Sequence, residues 1–521
     1  MIDRPPEISP DVGAQNAEGN RCRLVSFLGT TPYTETTYRF QDRQATSSFI
    51  PIALSRMLPC DRVSLLATDE AIQKHKEALR AGLSDLGIAL DMRRIPTGHS
   101  EEDLREQFRV FRDTMMESPD MPLVIDITLG FRAHSFFAAA GLATLSAAGK
   151  LPGNVRILYG AFEAKQGNTA PIWDLTPFLD MVEFAFSAST FRRTGDGRPL
   201  ADALERERRK IAMRAKSGER DFARSKVIEP LRAFSEDLSA TRLASLLVGV
   251  ENRTPAGKTK IAPSSTSRLR GALKKWREEC DRDHPALVPM LDELLEMTTQ
   301  LEVTDVVARE NGLAAQEARQ AVAALSRLYL DFGRLMEAAA VAREEIVSRL
   351  AAVPEAISAA RTDFDRDARQ RAERIAGESR HLRGLFDRRN DILHAGMRAD
   401  PLSGKEIARQ VAKLAEEIAR PPRTVVVSRH PGAVEWLEKQ GFVADATLTH
   451  LSEADLASFR VGDRVVGIIP IELAGRLCEK GVYCAVIKFA LEETQRGREF
   501  NCQQLEAAGA RLVRVLVQLG D

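Results

Sequence analysis

One segment constrains the fold more than any other. The run Pro122–Thr128 (PLVIDIT) is almost wholly apolar over the length of a strand. A strand with both faces apolar is typical of the centre of a parallel sheet that has helices on either side. Amphipathic stretches, clearest at Arg132–Ala148, separate it from four further strand-like runs, namely Cys22–Gly29, Arg62–Ala67, Ile88–Ile95 and Val155–Tyr159. This alternation predicts a doubly wound, Rossmann-like α/β domain over residues 21–195.

The character of the chain changes twice after this domain. Residues 196–420 are rich in Ala, Leu, Arg and Glu without a convincing strand, which predicts a helical domain. Within it, residues 250–268 are predicted to be a mobile loop between helices. Strand-like and helix-like runs alternate again over residues 421–521, which predicts a small α/β domain. The polar, Pro-containing residues 1–20 are predicted to be a flexible arm.

Composition limits the classes of function. Lys+Arg and Asp+Glu both number 74, so no global charge attracts nucleic acid and any contact with RNA must be local. The cysteines include no C-x-x-C pair, which predicts reduced thiols in a cytoplasmic protein and no zinc site. No apolar run reaches the roughly 18 residues of a membrane span. We therefore expect no membrane partner, no metal and no cofactor.

Two loops at predicted strand ends have the composition of phosphate-binding segments. The first, Gly29-Thr30-Thr31-Pro32-Tyr33, follows the first strand. Glycine lets a ligand approach the backbone, and the threonine hydroxyls and free amides can hold phosphate oxygens. The Tyr33 ring is suited to stacking on a base. A purely structural turn is the alternative.

The second loop, Asp126–Arg132, joins the buried strand to the next helix. A helix N-terminus favours phosphate, and Arg132 adds a bidentate donor. An Asp-x-Thr sequence at a strand end is also a common helix cap, and capping is the favoured explanation for Thr68 at a third strand end. The candidate ligand-binding residues are Gly29, Thr30, Thr31, Tyr33, Thr68, Asp126, Thr128, Gly130, Phe131 and Arg132.

Together, Ser26–Thr31 (SFLGTT) and Asp126–Arg132 (DITLGFR) resemble the motifs of the CRISPR-associated CARF domains, which sense cyclic oligoadenylate. Leu129 stands where that family usually has His, which leaves open whether this domain cuts its own ligand. The resemblance implies a homodimer, or a higher even oligomer, that binds one cyclic ligand across a two-fold axis. Cyclic tetra-adenylate is the expected allosteric activator.

The helical region contains Arg388–Gly396 (RRNDILHAG), which resembles the R-x4-H motif of HEPN ribonucleases. The spacing alone is weak evidence, because Arg94 and His99 repeat it in a predicted loop. The resemblance implies a metal-independent endoribonuclease that leaves 2′,3′-cyclic phosphate ends on single-stranded RNA. A surface Arg with a capping His is the alternative.

The three polar residues of this motif suit that chemistry. His394 can act as general base or acid near neutral pH, and Arg389 can stabilise charge developing on the phosphorane. Asn390 can orient either group. Residues five apart on a straight helix lie roughly 140° apart, so one helix does not bring both side chains to one phosphate. The resemblance implies a composite site formed by two chains.

The C-terminal segment has its own candidate site. At Ser428–Pro431 a predicted strand end meets a helix N-terminus, where Arg429 and His430 suit an anionic ligand, with Ser428 and His450 behind them. A cap and a surface charge explain the pattern equally well. Residues 423–521 resemble a small CRISPR-associated family, usually free-standing, that is implicated in degrading cyclic oligoadenylate. The resemblance implies a ring-nuclease domain that removes the activator.

Three hypotheses follow from the sequence. The first is an endoribonuclease of type III CRISPR antiviral defence, activated by cyclic oligoadenylate and fused to a domain that degrades this activator. The second is a nucleotide-sensing regulator without catalysis, although no compact helix-turn-helix or strongly basic stretch supports DNA binding. The third differs only in making the C-terminal domain a binding or dimerisation module.

Overall fold

The computed structural model describes residues 21–130, 132–150, 154–214, 223–253, 259–304, 313, 316–351, 366–378, 382–383, 392, 397, 401–490, 499–515 and 517. The chain divides into two compact units, Met1–Phe186 and Ser187–Asp521. Among the described residues, no helix is both long and apolar enough to cross a membrane.

The first unit is built on an eight-stranded sheet with the order β3-β2-β8-β7-β6-β1-β4-β5. Its strands are β1 (Cys22–Leu28), β2 (Thr36–Phe40), β3 (Arg43–Ser47), β4 (Cys60–Ala67), β5 (Ala89–Arg94), β6 (Leu123–Asp126), β7 (Val155–Gly160) and β8 (Thr169–Asp174). Its helices are α1 (Ile50–Met57), α2 (Asp69–Ser84), α3 (Glu101–Met116), α4 (Arg132–Ala147) and α5 (Thr176–Thr194), of which α5 ends in the second unit.

The centre of this sheet is parallel because its strands are apolar on both faces. Every residue of β1 is buried, and β1 pairs in parallel with β4 on one side and β6 on the other. One apolar cluster with α1 and α2 covers one face, and a second cluster with α3 and α4 covers the other. In this sheet, β4 and β5 lie on one side of β1, and β6 and β7, which follow them in the chain, lie on its other side.

The five strands and the helix predicted for this unit are confirmed, but the sheet is mixed. The sequence did not predict β2, β3 or β8. β8 runs antiparallel to β7, to which only a short 3-10 turn at Phe162–Ala164 connects it, and a parallel pairing needs a crossover of a dozen or more residues. β2 and β3 form an antiparallel pair at the sheet edge.

The first part of the second unit is helical, as predicted. Its helices are α6 (Arg198–Arg214), α7 (Ile228–Ser239), α8 (Leu243–Leu247), α9 (Ser265–Asp283), α10 (Val288–Thr299), α11 (Gln316–Asp331), α12 (Leu335–Ala351), α13 (Arg366–Glu378) and α14 (Gly404–Glu417).

The prediction of a mobile loop over residues 250–268 was wrong for its described residues. Val250–Arg253 (β9) and Thr259–Ala262 (β10) form an antiparallel pair, and α9 begins at Ser265. The Gly249 backbone has φ +94 and lies so close to the Ala262 carbonyl that an added Cβ would meet its oxygen at 1.9 Å. A strand pair forms through backbone hydrogen bonds between its two strands. The polar composition of the segment does not reveal such bonds, so the sequence did not predict the pair.

The C-terminal part contains a five-stranded sheet with the order β12-β11-β13-β14-β15, parallel except for β15. The strands are β11 (Thr424–Val427), β12 (Ala446–Leu448), β13 (Arg464–Gly467), β14 (Tyr483–Lys488) and β15 (Arg511–Val515). The helices are α15 (Pro431–Lys439), α16 (Glu453–Ser458), α17 (Ile471–Glu479) and α18 (Cys502–Ala507), and apolar clusters lie on both faces of the sheet. The predicted fold class, an α/β sheet followed by helices and a small α/β sheet, is confirmed.

Buried charged groups join the helices of the second unit to its small sheet. The Arg349 side chain on α12 has no exposed surface and forms an ion pair with Glu345 at 2.8 Å. Its guanidinium also donates to the carbonyl oxygens of Ile418 and Arg420, at 2.9 and 2.8 Å. Asp463, likewise unexposed, accepts two hydrogen bonds from the Arg420 guanidinium at 2.8 and 2.6 Å. These contacts fix the chain where it passes from helices to sheet.

Candidate functional site

The carboxyl ends of β1 and β6 form the crevice at which an open α/β sheet binds ligands. The strand order reverses between these two neighbours, and a ligand binds at such a switch point. Ser26 on β1 is the register partner of Asp126 on β6, so the two predicted phosphate-binding loops begin side by side. An added Cβ on Gly29 would lie 3.5 Å from the carbonyl oxygen of Leu129, which places the loops in close proximity.

Asp126 organises the β6 loop from inside the protein. Its carboxylate is fully buried and accepts hydrogen bonds from the Ser26 hydroxyl at 2.5 Å, the Thr128 hydroxyl at 2.5 Å and the Thr128 amide at 3.0 Å. Burial raises the pKa of Asp126, an effect that these hydrogen bonds partly oppose. The Thr128 hydroxyl in turn accepts from the Gly160 amide at 2.7 Å. The Asp126 side chain therefore positions the loop from within.

Tyr33 closes the β1 loop on itself. Its hydroxyl accepts from the Gly29 amide at 2.8 Å and donates to the Gly29 carbonyl at 3.1 Å. The ring packs against Phe49 and His75, with centroid distances of 5.5 and 5.1 Å. Burial raises the pKa of the Tyr33 hydroxyl. The structure thus places this ring among other aromatic side chains, where it supports the loop.

The lip of the crevice is polar and open. Thr31 is exposed and Thr30 is half-buried. The exposed Lys74 on α2 donates from Nζ to the Thr30 carbonyl at 2.7 Å, across 44 positions of sequence. Sequence reasoning missed Lys74, because nothing in an amphipathic helix distinguishes this lysine from its neighbours. Its ammonium supplies a positive charge beside the threonines.

The other predicted ligand-binding residues have more varied surroundings. Thr68 is the N-cap of α2, accepting from the Ala71 amide at 3.4 Å, as the capping explanation predicted. Gly130 lies against the His134 ring, whose Nδ1 would be 2.7 Å from an added Cβ. Leu129, where the resembling family has His, packs against the apolar cluster of α1 and α2. Phe131 and the Arg132 side chain lie outside the described residues, and α4 begins at Arg132.

His134 is a buried imidazole behind the β6 loop. It is 2% exposed, stacks on Phe27 at 4.0 Å between centroids, and its Nε2 lies 3.1 Å from the Gln107 side-chain oxygen. Burial lowers its pKa to about 4. The neutral imidazole is therefore the form that this packing accommodates.

This lowered pKa predicts a pH-dependent stability. An unfolded His titrates at about 6.5, so the His134 contribution is fully present above that pH and is lost as the pH falls toward 4. Between pH 7 and pH 5 we expect the wild type to lose about 2 kcal/mol more unfolding free energy than His134→Gln. Urea titrations at both pH values measure this difference, followed by fluorescence in proteins that keep Trp173 as their single tryptophan.

The comparison with His134→Gln is needed because other groups titrate too. Asp126, whose pKa is raised, acts with the opposite sign, and His75, whose pKa burial lowers, acts with the same sign. Both are present in the two proteins and cancel in the difference. Equal losses in the two proteins would contradict the assignment to His134.

Three predicted residues of the RNase motif, Arg389, Asn390 and His394, lie outside the described residues. The structure therefore does not test whether they come together. Within the described part of the chain, no group of three or more His, Cys, Asp or Glu residues is arranged to hold a metal ion.

The C-terminal sheet has a second switch point, between β11 and β13. The chain passes from β11 to β12 on one side and then to β13 on the other. The loops at the carboxyl ends are joined by backbone hydrogen bonds from Ser428 to Leu448 at 2.9 Å and from Ile468 to Val427 at 2.8 Å. The loops after β11, β12 and β13 therefore meet at one edge.

The predicted residues Ser428, Arg429, His430 and His450 all follow strands at this edge. The buried Ser428 hydroxyl accepts from the His430 amide at 3.0 Å and so fixes the turn before α15. The His430 side chain is 40% exposed, and its Nδ1 lies 3.8 Å from Glu499 Oε1 without a hydrogen-bond partner among the described residues. Arg429 and His450 are exposed.

Two apolar side chains and one glycine complete this edge, and sequence reasoning missed them. Ile468 and Ile471 are 51% and 73% exposed, which is unusual for isoleucine. Gly432, in the first turn of α15, lies so close to the Phe500 carbonyl that an added Cβ would meet its oxygen at 2.2 Å. The edge therefore combines a cation, two imidazoles and an apolar surface.

Comparison with known proteins gives one match that bears on this sheet. Residues 425–518 match the model of a family described as "Putative CRISPR-associated protein (Cas_VVA1548)". No curated protein matches the chain. Among solved structures, the chain is similar to Enterococcus italicus Csm6 bound to cyclic hexa-2'-fluoro-hexa-dAMP, at 11% identity and a TM-score of 0.38, covering 76% of this chain and 94% of that chain. A similarity of that degree supports no inference about function.

Proposed function

We propose that this chain is a CRISPR-associated endoribonuclease that a cyclic oligoadenylate activates and whose C-terminal sheet degrades that activator. The observation that carries the proposal is the meeting of the two glycine- and threonine-containing loops at the switch point of the first sheet. The family match over residues 425–518 supports the association with CRISPR systems. The organisation is a sensor sheet, a helical nuclease region and a second nucleotide-processing sheet.

The first switch point suits a phosphodiester. Gly29 allows close approach, Thr30 and Thr31 supply hydroxyls at the lip, and Lys74 supplies a charge. The Asp126 and Thr128 network holds the second loop in place before any ligand arrives. A preorganised loop lowers the ordering cost of binding. Contacts to a single phosphate do not depend on the number of nucleotides in the ring. Cyclic tetra-adenylate therefore remains an expectation from the sequence.

A cyclic ligand with two-fold symmetry needs a two-fold protein, and the first unit has a surface that suits self-association. Phe178, Val182 and Phe186 recur every four residues along α5 and are 64%, 42% and 62% exposed. Phe136 on α4 is 72% exposed. Large exposed apolar surfaces are typical of protein interfaces. We assign this surface to the homodimer, whose symmetry would also pair two RNase motifs.

The nuclease step is assigned to Arg389, Asn390 and His394. In this scheme the RNA 2′-hydroxyl attacks the adjacent phosphorus, and the 5′-oxygen of the next nucleotide leaves. His394 moves the proton, Arg389 stabilises the charged phosphorane, and Asn390 orients the phosphate. Ligand binding favours the dimer arrangement in which the two motifs meet, through its differential affinity for that state.

Degradation of the activator is assigned to the C-terminal switch point. Arg429 and the N-terminus of α15 would hold the phosphate, since both favour an anion. His430, whose Nδ1 lies 3.8 Å from the Glu499 carboxylate, would move the proton. Ile468 and Ile471 offer an apolar surface for a base. A cyclic oligoadenylate would thus be cut at the C-terminal sheet, whereas the N-terminal sheet senses it.

The test follows both RNA and activator in one reaction. Full-length protein is incubated with labelled single-stranded RNA and with cyclic tri-, tetra- or hexa-adenylate. We expect RNA cleavage with one ring size, followed by loss of cleavage as that ring is consumed. Lys74→Gln should raise the activator concentration needed for half-maximal cleavage by about tenfold, because one charge-assisted hydrogen bond to phosphate is lost.

The matched control is Lys76→Gln. Lys76 lies on the same helix, roughly 200° around its axis from Lys74, and should respond like the wild type. His430→Ala should keep RNA cleavage and prolong it, since the activator survives. Cleavage that is indifferent to every ring size would contradict the proposal, and an activator that disappears equally fast with His430→Ala would contradict the second site.

A further inference from the structure

A cavity in the second unit lies where the helices meet the small sheet. Helices α12 and α13 form one wall, and the starts of β13 and β14 with the end of β15 form the other. It is at the opposite end of the sheet from the His430 switch point. The lining residues are Arg349, Leu350, Ile375, Gly462, Arg464, Cys478, Gly481, Val482, Tyr483, Cys484, Arg514 and Val515.

Arg464 contributes a half-buried guanidinium to this cavity. It is the first residue of β13 and the register partner of Tyr483 on β14. Among the described residues it has neither an ion pair nor a hydrogen bond from its side chain. Burial lowers its pKa, as does the positive charge of Arg319, whereas Tyr483 and the Asp445 carboxylate partly oppose this lowering. A partly buried cation without a partner is costly, and an anion would remove that cost.

Arg514 approaches the same place from the opposite side of Tyr483. Its guanidinium carbon lies 5.2 Å from the centre of the Tyr483 ring. It also has no ion pair with any described carboxylate. The neighbouring arginines differ, because Arg349 is paired with Glu345 and Arg420 with Asp463. Among the described arginines that line the cavity, Arg464 and Arg514 are therefore those without an ion pair.

Two cysteines, Cys478 and Cys484, also line this cavity. The neighbouring Cys484 thiol and, to a smaller extent, the Arg514 charge lower the pKa of the Cys478 thiol to about 6, although burial opposes them. The Cys478 sulfur lies 3.6 Å from the Val515 carbonyl oxygen. A thiol with a lowered pKa reacts readily with alkylating reagents. Cys478 is thus a natural probe of whether the cavity is occupied.

We propose that this cavity binds a small phosphate-bearing anion through Arg464 and Arg514. A guanidinium presents paired donors that match two phosphate oxygens, which makes arginine the preferred partner of this group. Because Leu350 and Ile375 belong to the helices and Arg464 to the sheet, an anion here contacts both. Its binding stabilises the packing of the helices on the sheet. The site is separate from the sensor and from the His430 edge.

The experiment uses the full-length protein and two probes, inorganic phosphate and adenosine 5′-monophosphate, with chloride at matched ionic strength as reference. Thermal unfolding and iodoacetamide labelling of Cys478, read by peptide mass spectrometry, are measured against probe concentration. We expect a saturable rise of the melting temperature of about 3 °C and about fivefold slower Cys478 labelling. A stronger effect of the monophosphate would identify a nucleotide phosphate, and an effect of phosphate alone a free ion.

Arg464→Gln should lose both effects, and Arg514→Gln, at an exposed side chain that tolerates substitution, should weaken both. The matched control is Arg511→Gln, on the same strand as Arg514 but three positions earlier and exposed, where neither effect should change. Absence of a saturable effect with both probes overturns the proposal. Equal protection of Cys478 in the wild type and in Arg514→Gln and Arg464→Gln overturns it as well.

Discussion

Replacing Arg349 by Met is expected to lower the unfolding free energy of the Ser187–Asp521 unit by about 3–5 kcal/mol, the usual cost of breaking a buried ion pair on one side. Arg349 has no exposed side-chain surface. Its loss would leave the Ile418 and Arg420 carbonyls, which it now satisfies, without these donors. Glu345, 3% exposed, would retain Arg319 at 3.1 Å but lose its second cation.

The fit of methionine into the space of the Arg349 side chain does not offset the lost ion pair and hydrogen bonds. An added Cβ on Gly462, where φ is +84, would lie 2.6 Å from the Arg349 Cβ, so the backbone is fitted closely to this side chain. Met fills the stem of that volume but provides no donors, and burying unsatisfied carbonyls is costly. The helices and the small sheet should therefore both be destabilised.

Urea unfolding followed by tryptophan fluorescence measures this effect. Trp276 lies in the helical region, Trp436 lies on α15 against the C-terminal sheet, and both are buried. Single-tryptophan proteins report each region separately. The control is Arg409→Met, whose exposed pair with Glu406 is worth roughly 0–1 kcal/mol. An Arg349→Met protein that unfolds within 1 kcal/mol of the control would show that the junction does not stabilise the unit.

The strands at the switch points could be predicted from sequence because their composition is largely apolar, and apolar runs are buried. Apart from Arg23, Ser26 and Asp126, β1 and β6 are apolar, and a chain with such runs must bury them. Once these strands are parallel neighbours, the loops after them meet at one edge. The candidate site of the first unit therefore followed from local patterns. The paired carboxyl ends of β11 and β13 followed in the same way.

What the sequence did not predict depends on contacts between distant residues. β2 mixes polar and apolar residues, so only its partners β3 and β8 define it as a strand. Lys74 reaches Thr30 across 44 positions, and Arg349 reaches Val461 across 112. The contacts of Tyr33 with the Gly29 backbone and the Phe49 ring were likewise not predicted, and its stacking on a base stays a prediction. No local pattern specifies such pairs.

Replacing His394 or Arg389 by Ala is expected to lower activator-dependent RNA cleavage by about a thousandfold. Removing a general base or acid costs 10²–10⁴ in rate, and removing a donor to developing charge costs 10²–10³. The two substitutions together should cost little more than either alone, because residues that act as one unit are not additive. Initial rates of RNA cleavage at saturating activator, with and without a metal chelator, measure the effect.

The chain supplies its own control for this prediction. Arg94 and His99 have the same spacing, but Arg94 is 79% exposed and forms an ion pair with Asp69 in the first unit. Arg94→Ala with His99→Ala should leave cleavage unchanged. Full cleavage by Arg389→Ala or His394→Ala, in protein that still binds its activator, would exclude these residues from the chemistry. Such a result would assign the cleavage to other residues of the chain. Absence of RNA cleavage by the wild type with every ring size would instead favour a nucleotide-sensing regulator.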